Sequence, residues 1–265
     1  MSKTLLKRSM KSCMKPWLIL FAVICMYTVV IIYMYDDEMA SMLNEYQELM
    51  PDVMAMMGMN GVASSLLEWA QIYLYGFIMM LFPMIFLIIM NNRLVMEYID
   101  SGSMASLLAT PNSRGKIIGT QIFAACVLTI LLIGAVTGVG IASCEILFPG
   151  ELDIVKYVLL NVSTCLLNLV ICGISFCAAC FSRESKYYYM VGAGLPILFF
   201  LIQMISNMGE KLEFLKYATI YTLLPTQAIV DGDLSYLAYD GVLLVMAILL
   251  FAVGAFHFTK RDMNV

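Results

Sequence analysis

The sequence predicts an all-α membrane protein, a bundle of six transmembrane helices, and three observations carry that prediction. Hydrophobic residues make up 62% of the chain and charged residues 13%, with a mean hydropathy of +0.89, far from the roughly half apolar and quarter charged composition of soluble domains. Six apolar runs, near residues 17–35, 69–90, 117–142, 157–180, 187–206 and 237–258, each reach the roughly twenty residues needed to cross about 30 Å of hydrocarbon. The basic residues also alternate from one connection to the next. The N-terminal tail, the second and fourth connections and the C-terminus hold all the Lys and Arg except Lys156, Lys211 and Lys216, which by the positive-inside rule places both termini in the cytoplasm of a multi-pass cell-membrane protein.

Taking the elements in order, residues 3–15 mix Lys3, Lys7, Arg8, Lys11 and Lys15 with Leu5, Leu6, Met10 and Met14. That pattern fits a helix lying on an anionic inner leaflet before Pro16 turns the chain into the membrane, and equally a plain cytoplasmic anchor. The first span is too long for a signal-peptide core and runs directly into Asp36, Asp37 and Glu38, so it is expected to stay in the mature chain. The outer segment 36–68 carries seven acids and no base, and Met39, Met42, Leu43, Tyr46, Leu49, Met50 and Val53 recur at helical spacing. One amphipathic helix ending near Pro51 is expected. Its acidic face reads first as solvated surface and second as a contact for a cationic substrate. Met54, Met56, Met57 and Met59 read as a flexible apolar contact surface rather than a soft-metal site.

Between spans 2 and 3 lies the polar connection 91–116. Ser101 and Ser103 can cap a short helix, Met104, Leu107 and Leu108 recur on one face, and Pro111 biases Thr110 away from helical geometry. The result is a short amphipathic helix across the ends of two spans, placed to move both when a partner pushes on it. In span 3, Gly134 and Gly138 with Gly140 beyond allow close approach of another helix, within the subunit or across a dimer. In span 4, Asn161, Thr164 and Asn168 share a face that reads as interhelical hydrogen bonding or as the lining of a polar path. Span 5 opens on an aromatic belt, Tyr187 to Tyr189, and contains Pro196, where a kink requires a neighbour for the freed carbonyl. Residues 212–229 are too broken to cross and fit a re-entrant or interfacial pair of half-helices. Asp231, Gly232 and Asp233 make an exposed turn before span 6.

Several chemistries are excluded on sequence grounds. The chain contains no Gly-x-x-x-x-Gly-Lys-Ser/Thr, so no cofactor is expected here and any ATP, with its Mg, belongs to another polypeptide. No charged residue falls in the central part of a span, which disfavours an ion-coupled carrier. The single His257 has no partner in sequence for catalysis or metal ligation, and a nucleic-acid partner is not indicated, because the net charge of −4 is a difference between two membrane faces. The cysteines are expected to pack as small hydrophobes, Cys177 and Cys180 included.

At the short helix of the second connection the chain resembles the ABC-2 type permeases, whose first cytoplasmic loop carries a Gly, a helix, a Leu pair, Thr-Pro and Arg. Here these are Gly102, Leu107, Leu108, Thr110, Pro111 and Arg114. The fuller run Asp100-Ser-Gly-Ser-Met-Ala105 is similar to the permeases of phenol-soluble modulin and related antimicrobial-peptide exporters of Gram-positive bacteria. A second match is Phe258 followed by Lys260, Arg261 and Asp262. The resemblance implies an N-terminal elbow helix, a coupling helix contacting a cytoplasmic ABC ATPase through Gly102, Met104, Leu107, Leu108, Thr110, Pro111 and Arg114, and a re-entrant segment before span 6. It further implies two ATPase copies, a second permease subunit (identical or a sister chain), contact with membrane lipids, and export of amphipathic peptides. Export of lipids or hydrophobic drugs, a non-transporting scaffold that recruits an ATPase, and a stand-alone channel are the competing readings.

Overall fold

The computed structural model describes residues 2–260 except 60, 62 and 109–112. Its helices are α1 Lys3–Tyr33, α2 Asp37–Leu49, α3 Pro51–Met56, α4 Leu66–Ala70, α5 Ile78–Asn91, α6 Glu97–Asp100, α7 Ser103–Leu108, α8 Arg114–Leu147, α9 Ile154–Phe181, α10 Ser185–Tyr188, α11 Gly194–Ser206, α12 Thr226–Asp231 and α13 Tyr236–Lys260. Three π-helical turns, Gln71–Tyr75, Asn92–Met96 and Tyr189–Ala193, lengthen α4, α5 and α10. Six helical stretches are long and apolar enough to cross a membrane, and no strand occurs among the described residues.

The core is built around spans 2 and 4. Two-thirds of the apolar window in 78–100 and in 154–181 is buried inside the protein, against about a quarter for α1 and α13, which therefore keep most of their surface outside the bundle. Along the seam between α9 and α13 the contacts are glycines. A Cβ on Gly173 would stand 2.9 Å from Leu250 Cβ, and one on Gly254 would stand 3.2 Å from Cys177 Cα and 3.6 Å from Cys180 Sγ. Cys177 and Cys180 thus sit where two helices approach closely. On the other side α1 runs along α8, with Trp17 Nε1 donating to the Leu128 carbonyl at 3.2 Å and Ser9 Oγ to Gln121 Oε1 at 2.7 Å.

Proline-freed carbonyls decide where polar side chains go. Pro16 lies inside α1, so residues 3–15 and the first span form one unbroken helix rather than an elbow plus a span. The carbonyl that Pro16 leaves without its helical donor is that of Ser12, and Arg93 Nη1 takes it at 2.6 Å. In span 5, Pro196 frees the Gly192 carbonyl, and Ser175 Oγ of α9 donates to it. The expected irregularity at Pro196 is present as a π turn with its neighbour supplied. Ser175→Ala should cost about 1–3 kcal/mol, because the carbonyl is then buried without a donor. The loss would be read as a lower apparent Tm in detergent. Adding Pro196→Ala should recover part of it, and no recovery would mean that the Gly192 carbonyl is not what was lost.

Span 2 differs most from its sequence expectation. The helix does not stop near residue 90 but continues through a π turn to Asp100. Asn91 is fully buried, its Nδ2 donating to the Cys172 carbonyl at 3.2 Å. The polar run that reads as the start of a loop therefore faces protein, which hydropathy cannot register. At its other end the span is interrupted at Gly76 and Phe77. There Gly58, at φ +74°, lies so close that a Cβ would be 2.7 Å from Gly76 Cα. Only two glycines permit that approach.

The amphipathic helix expected in the outer segment is α2, and a further short helix follows it. α2 ends at Leu49 and Pro51 opens α3, its usual place in a first turn. Met39 and Leu43 pack on a small cluster with Trp69, Ile72 and Tyr73, while Met42, Tyr46 and Leu49 are exposed. At the head of α4, Ser65 Oγ accepts from the Glu68 amide and the Glu68 carboxylate accepts from the Ser64 amide and hydroxyl, at 2.7 and 2.6 Å.

The hydrogen bonds from Ser64 hold the Glu68 carboxyl below its usual range. The cap is therefore complete at neutral pH and is lost as pH falls through that depressed value. Amide exchange at Ser64 and Glu68 should rise over the same acid window, and Glu68→Gln should remove the pH dependence.

Before span 6 the chain forms two short 3₁₀ helices, Glu210–Ala218 and Tyr221–Leu223, then α12. The first of the expected half-helices is thus 3₁₀, where residues three apart eclipse, and Glu213 and Lys216 pair at 3.1 Å. Tyr221 is buried, with its hydroxyl 3.3 Å from Met84 Sδ, which ties the segment to span 2. Gly232, at φ +78°, ends α12 with the Asp233 amide bonded to the Ala228 carbonyl and its own to Ile229, a Schellman close.

Candidate functional site

The candidate site lies at the end of the bundle that carries most of the basic residues, where spans 2 and 3 are joined. Span 2 ends in α6. Ser101 then donates from Oγ to the Glu97 carbonyl at 2.6 Å and its hydroxyl meets that of Ser103 at 2.7 Å. Gly102, at φ +66°, reverses the chain into α7. A Cβ there would meet nothing within 4 Å, so the glycine is required by backbone conformation and not by crowding.

The sequence-predicted contact residues divide according to exposure. Gly102 is exposed, whereas Met104 is 6% exposed and faces the bundle, anchoring α7. Leu107 is half-buried against the core. Arg114 opens α8, whose first turn is capped by Ser113 Oγ on the Lys116 amide at 3.3 Å. The side chain of Leu108, together with Thr110 and Pro111, lies outside the described residues, as do Arg261 and Asp262 of the C-terminal match.

The sequence reading missed what this hairpin is tied to. The Asp100 carboxylate accepts from the Ser185 amide at 3.3 Å and from the Ser185 hydroxyl. Ser185 is the first residue of α10 and so of span 5. Asp100 therefore caps a helix 85 residues away, and the elements joined at this point are spans 2, 3 and 5. The signal was present in the run beginning at Asp100, but nothing in one sequence pairs it with Ser185.

Beside the hairpin is a cavity of about 350 Å³ between α1 and the end of span 2 with α7, lined by Arg8 and Ser12 of α1 and by Arg93, Glu97, Tyr98, Ser101 and Ser103. The Arg8 guanidinium stands over the Tyr98 ring, 5.5 Å from its centroid. At the same end His257 stacks on Phe181 with centroids 3.7 Å apart.

Asn161, Thr164 and Asn168 of α9 are all buried. Each donates to the carbonyl one turn back, Asn161 to Tyr157, Thr164 to Leu160 and Asn168 to Thr164, at 2.7–2.9 Å. The carbonyl oxygen of the Asn168 side chain has no hydrogen-bond partner among the described residues, and that of Asn161 lies near the Tyr75 and Tyr157 hydroxyls. Asn161 alone also lines a groove of about 230 Å³ between α8 and α9, with Gly134 and Thr137 opposite. Cβ atoms on Gly134 and Gly138 would touch nothing within 4 Å, whereas one on Gly140 would collide with the Tyr157 hydroxyl. The glycine face of α8 is thus divided: Gly140 serves packing within the chain, and Gly134 and Gly138 are open.

At the opposite end, α2 presents Glu45 and Glu48 beside its exposed Met42, Tyr46 and Leu49. Lys156 reaches across from α9 to the Val230 carbonyl at 2.6 Å. Asp240 of α13 accepts from Ser163 Oγ of α9 at 2.8 Å.

Comparison with curated proteins returns no significant match, and comparison with solved structures returns none either. The family model described as ABC-2 family transporter protein matches residues 4–263. Six spanning helices, a short helix across the ends of two of them and a match over nearly the full length lead to one conclusion: the chain belongs to the ABC-2 family of transporter proteins and is a transmembrane permease component.

Proposed function

We propose that this permease is half of the membrane part of an exporter, pairing with a second permease subunit and driven by two cytoplasmic ATPase subunits. Membership of the family implies an ATPase partner, and the basic charge at the α7 end supports placing that partner there. The observation that carries the reading is the hairpin at Gly102. It rests on the bundle through Met104 and is bonded to span 5 through Asp100 and Ser185. A push on α7 thereby reaches spans 2, 3 and 5 together. Leu107 and Leu108 meet the ATPase, Pro111 stops the helix and Arg114 meets an acid or a lipid phosphate. Arg114 stands at the start of α8, where the connection enters span 3.

The proposed substrate is an amphipathic, membrane-active peptide, moved outward for export or self-protection. The resemblance at Asp100 to Ala105 supports it, and so does the surface of α2, which offers carboxylates and exposed apolar side chains side by side to a peptide that is cationic on one face and apolar on the other. Asn161, Thr164 and Asn168 become part of the path when spans 3 and 4 separate along the Gly134 groove, and the open Gly134 and Gly138 face is the proposed approach surface for the second subunit.

The test is ATP hydrolysis by the chain co-expressed with its ATPase in lipid, with and without an amphipathic cationic peptide. Stimulation is expected. A stable complex indifferent to peptide would redirect the substrate to lipids and hydrophobic drugs, and absence of any complex would overturn the exporter reading.

A further inference from the structure

We infer that the cavity between α1 and α6–α7 is a binding site for a phosphodiester, the headgroup phosphate of an anionic lipid, which staples the N-terminal helix to the coupling hairpin. The cavity is bounded by two arginines and one carboxylate, Arg8, Arg93 and Glu97. Neither guanidinium is in an ion pair among the described residues. Arg93 uses one of its N–H groups on the Ser12 carbonyl, and four others remain, in the planar fork that suits phosphate oxygens. Arg8 is held in place by the Tyr98 ring beneath it.

The charge selects the ligand. Two guanidiniums against one carboxylate leave a single uncompensated positive charge, which a phosphodiester monoanion cancels and a dianionic phosphate monoester overshoots. Size agrees, since about 350 Å³ falls at the lower end of the range of roughly 300–1,000 Å³ found for small-ligand pockets. Location argues for a lipid source over a soluble one. Arg8 lies on the same exposed basic stretch as Lys7, Lys11 and Lys15, just before Trp17 and the apolar part of α1, which is headgroup level for a spanning helix. A lipid seated here has its phosphate between the two walls and its acyl chains along α1.

The consequence for the coupling hairpin is direct. Tyr98, Ser101 and Ser103 belong to it, while Arg8 and Ser12 belong to α1, so the phosphate bridges elements that otherwise meet through few polar bonds.

The experiment is native mass spectrometry of the full chain in a neutral detergent, titrated with phosphatidylglycerol, phosphatidylcholine or inorganic phosphate. One saturable phosphatidylglycerol is expected, with little phosphatidylcholine bound. Arg8→Gln should weaken it about tenfold, the scale of one charge-assisted hydrogen bond, while Glu97→Gln should strengthen it. The Arg8 guanidinium makes no hydrogen bond to backbone among the described residues, so its variant does not disturb the Ser12 carbonyl as Arg93→Gln would. Equal weakening by Lys7→Gln or Lys11→Gln would mean diffuse surface attraction and overturn the site. Displacement by inorganic phosphate at matching concentration would overturn the lipid as occupant. No response to either Arg8→Gln or Glu97→Gln would overturn both.

Discussion

Replacing Leu107 and Leu108 together by Asp is expected to strip the ATPase from the permease while leaving the permease inserted. Two carboxylates would be forced into a contact that excludes water, where one unpaired charge alone costs about 2–5 kcal/mol of affinity, so co-purification should fall by several hundred-fold or more. Leu107 is half-buried against the core of its own chain, which gives the double variant a second way to fail, by lifting α7 off the bundle. Met104→Ala separates the two routes. It weakens the buried anchor without placing a charge in the interface. If Met104→Ala loses the ATPase as completely as the double aspartate, α7 is held to its partner through its position and not through a leucine contact. If the double aspartate variant still co-purifies, the coupling assignment is wrong.

Asp100→Ala should produce the opposite phenotype: a complex that assembles and hydrolyses ATP but no longer responds to substrate. The Asp100 carboxylate holds the first residue of span 5 by two bonds, to the Ser185 amide and hydroxyl. Hydrogen bonds to a charged group are worth about 1.5–3 kcal/mol each when shielded and less at a wet surface, so a shift of about tenfold in the coupled equilibrium is expected. Ser185→Ala removes one of the two bonds and should give a smaller loss. The readout is the ratio of peptide-stimulated to basal hydrolysis at saturating ATP. Stimulation unchanged in both variants would mean that span 5 is moved by packing and not by this tie, and loss of the complex itself would make Asp100 part of the docking surface.

How much of this was legible in the sequence depended on whether the cause was local. The six spans follow from hydrophobic length and could be read directly, whereas Gly102 was legible only as part of a family motif and its chain reversal at positive φ came from the structure. The C-terminal boundary of span 2 could not be read directly, because Asn91, Asn92 and Arg93 look like loop to any scale that assumes lipid outside every helix, whereas Asn91 is turned into the protein against Cys172. Pro196 announced the need for a donor at the Gly192 carbonyl without naming Ser175, which lies 17 residues before Gly192. Pro16 was read as a turn, but a long-range partner in Arg93 lets the helix run straight through it. At the hairpin that joins spans 2 and 3 Asp100 stood in plain sight, and its bond to Ser185 waited on knowing which helix end lay beside it. Within the proposed path, the spacing of Asn161, Thr164 and Asn168 put them on one face, but spacing alone does not distinguish a face turned inward from one turned toward a cavity.

The two proline-freed carbonyls also bear on the order in which the chain is made. Gly192 needs Ser175, a residue already synthesised when span 5 emerges, so its carbonyl meets a donor on arrival. Ser12 must wait for Arg93, 81 residues downstream. That wait takes place beside Lys11 and Lys15, at the water-facing end of α1, where solvent can serve as an interim donor. The deeper irregularity has its partner behind it in the chain and the shallower one has its partner ahead, an arrangement that leaves neither carbonyl stranded in hydrocarbon while the helices are threaded in one after another.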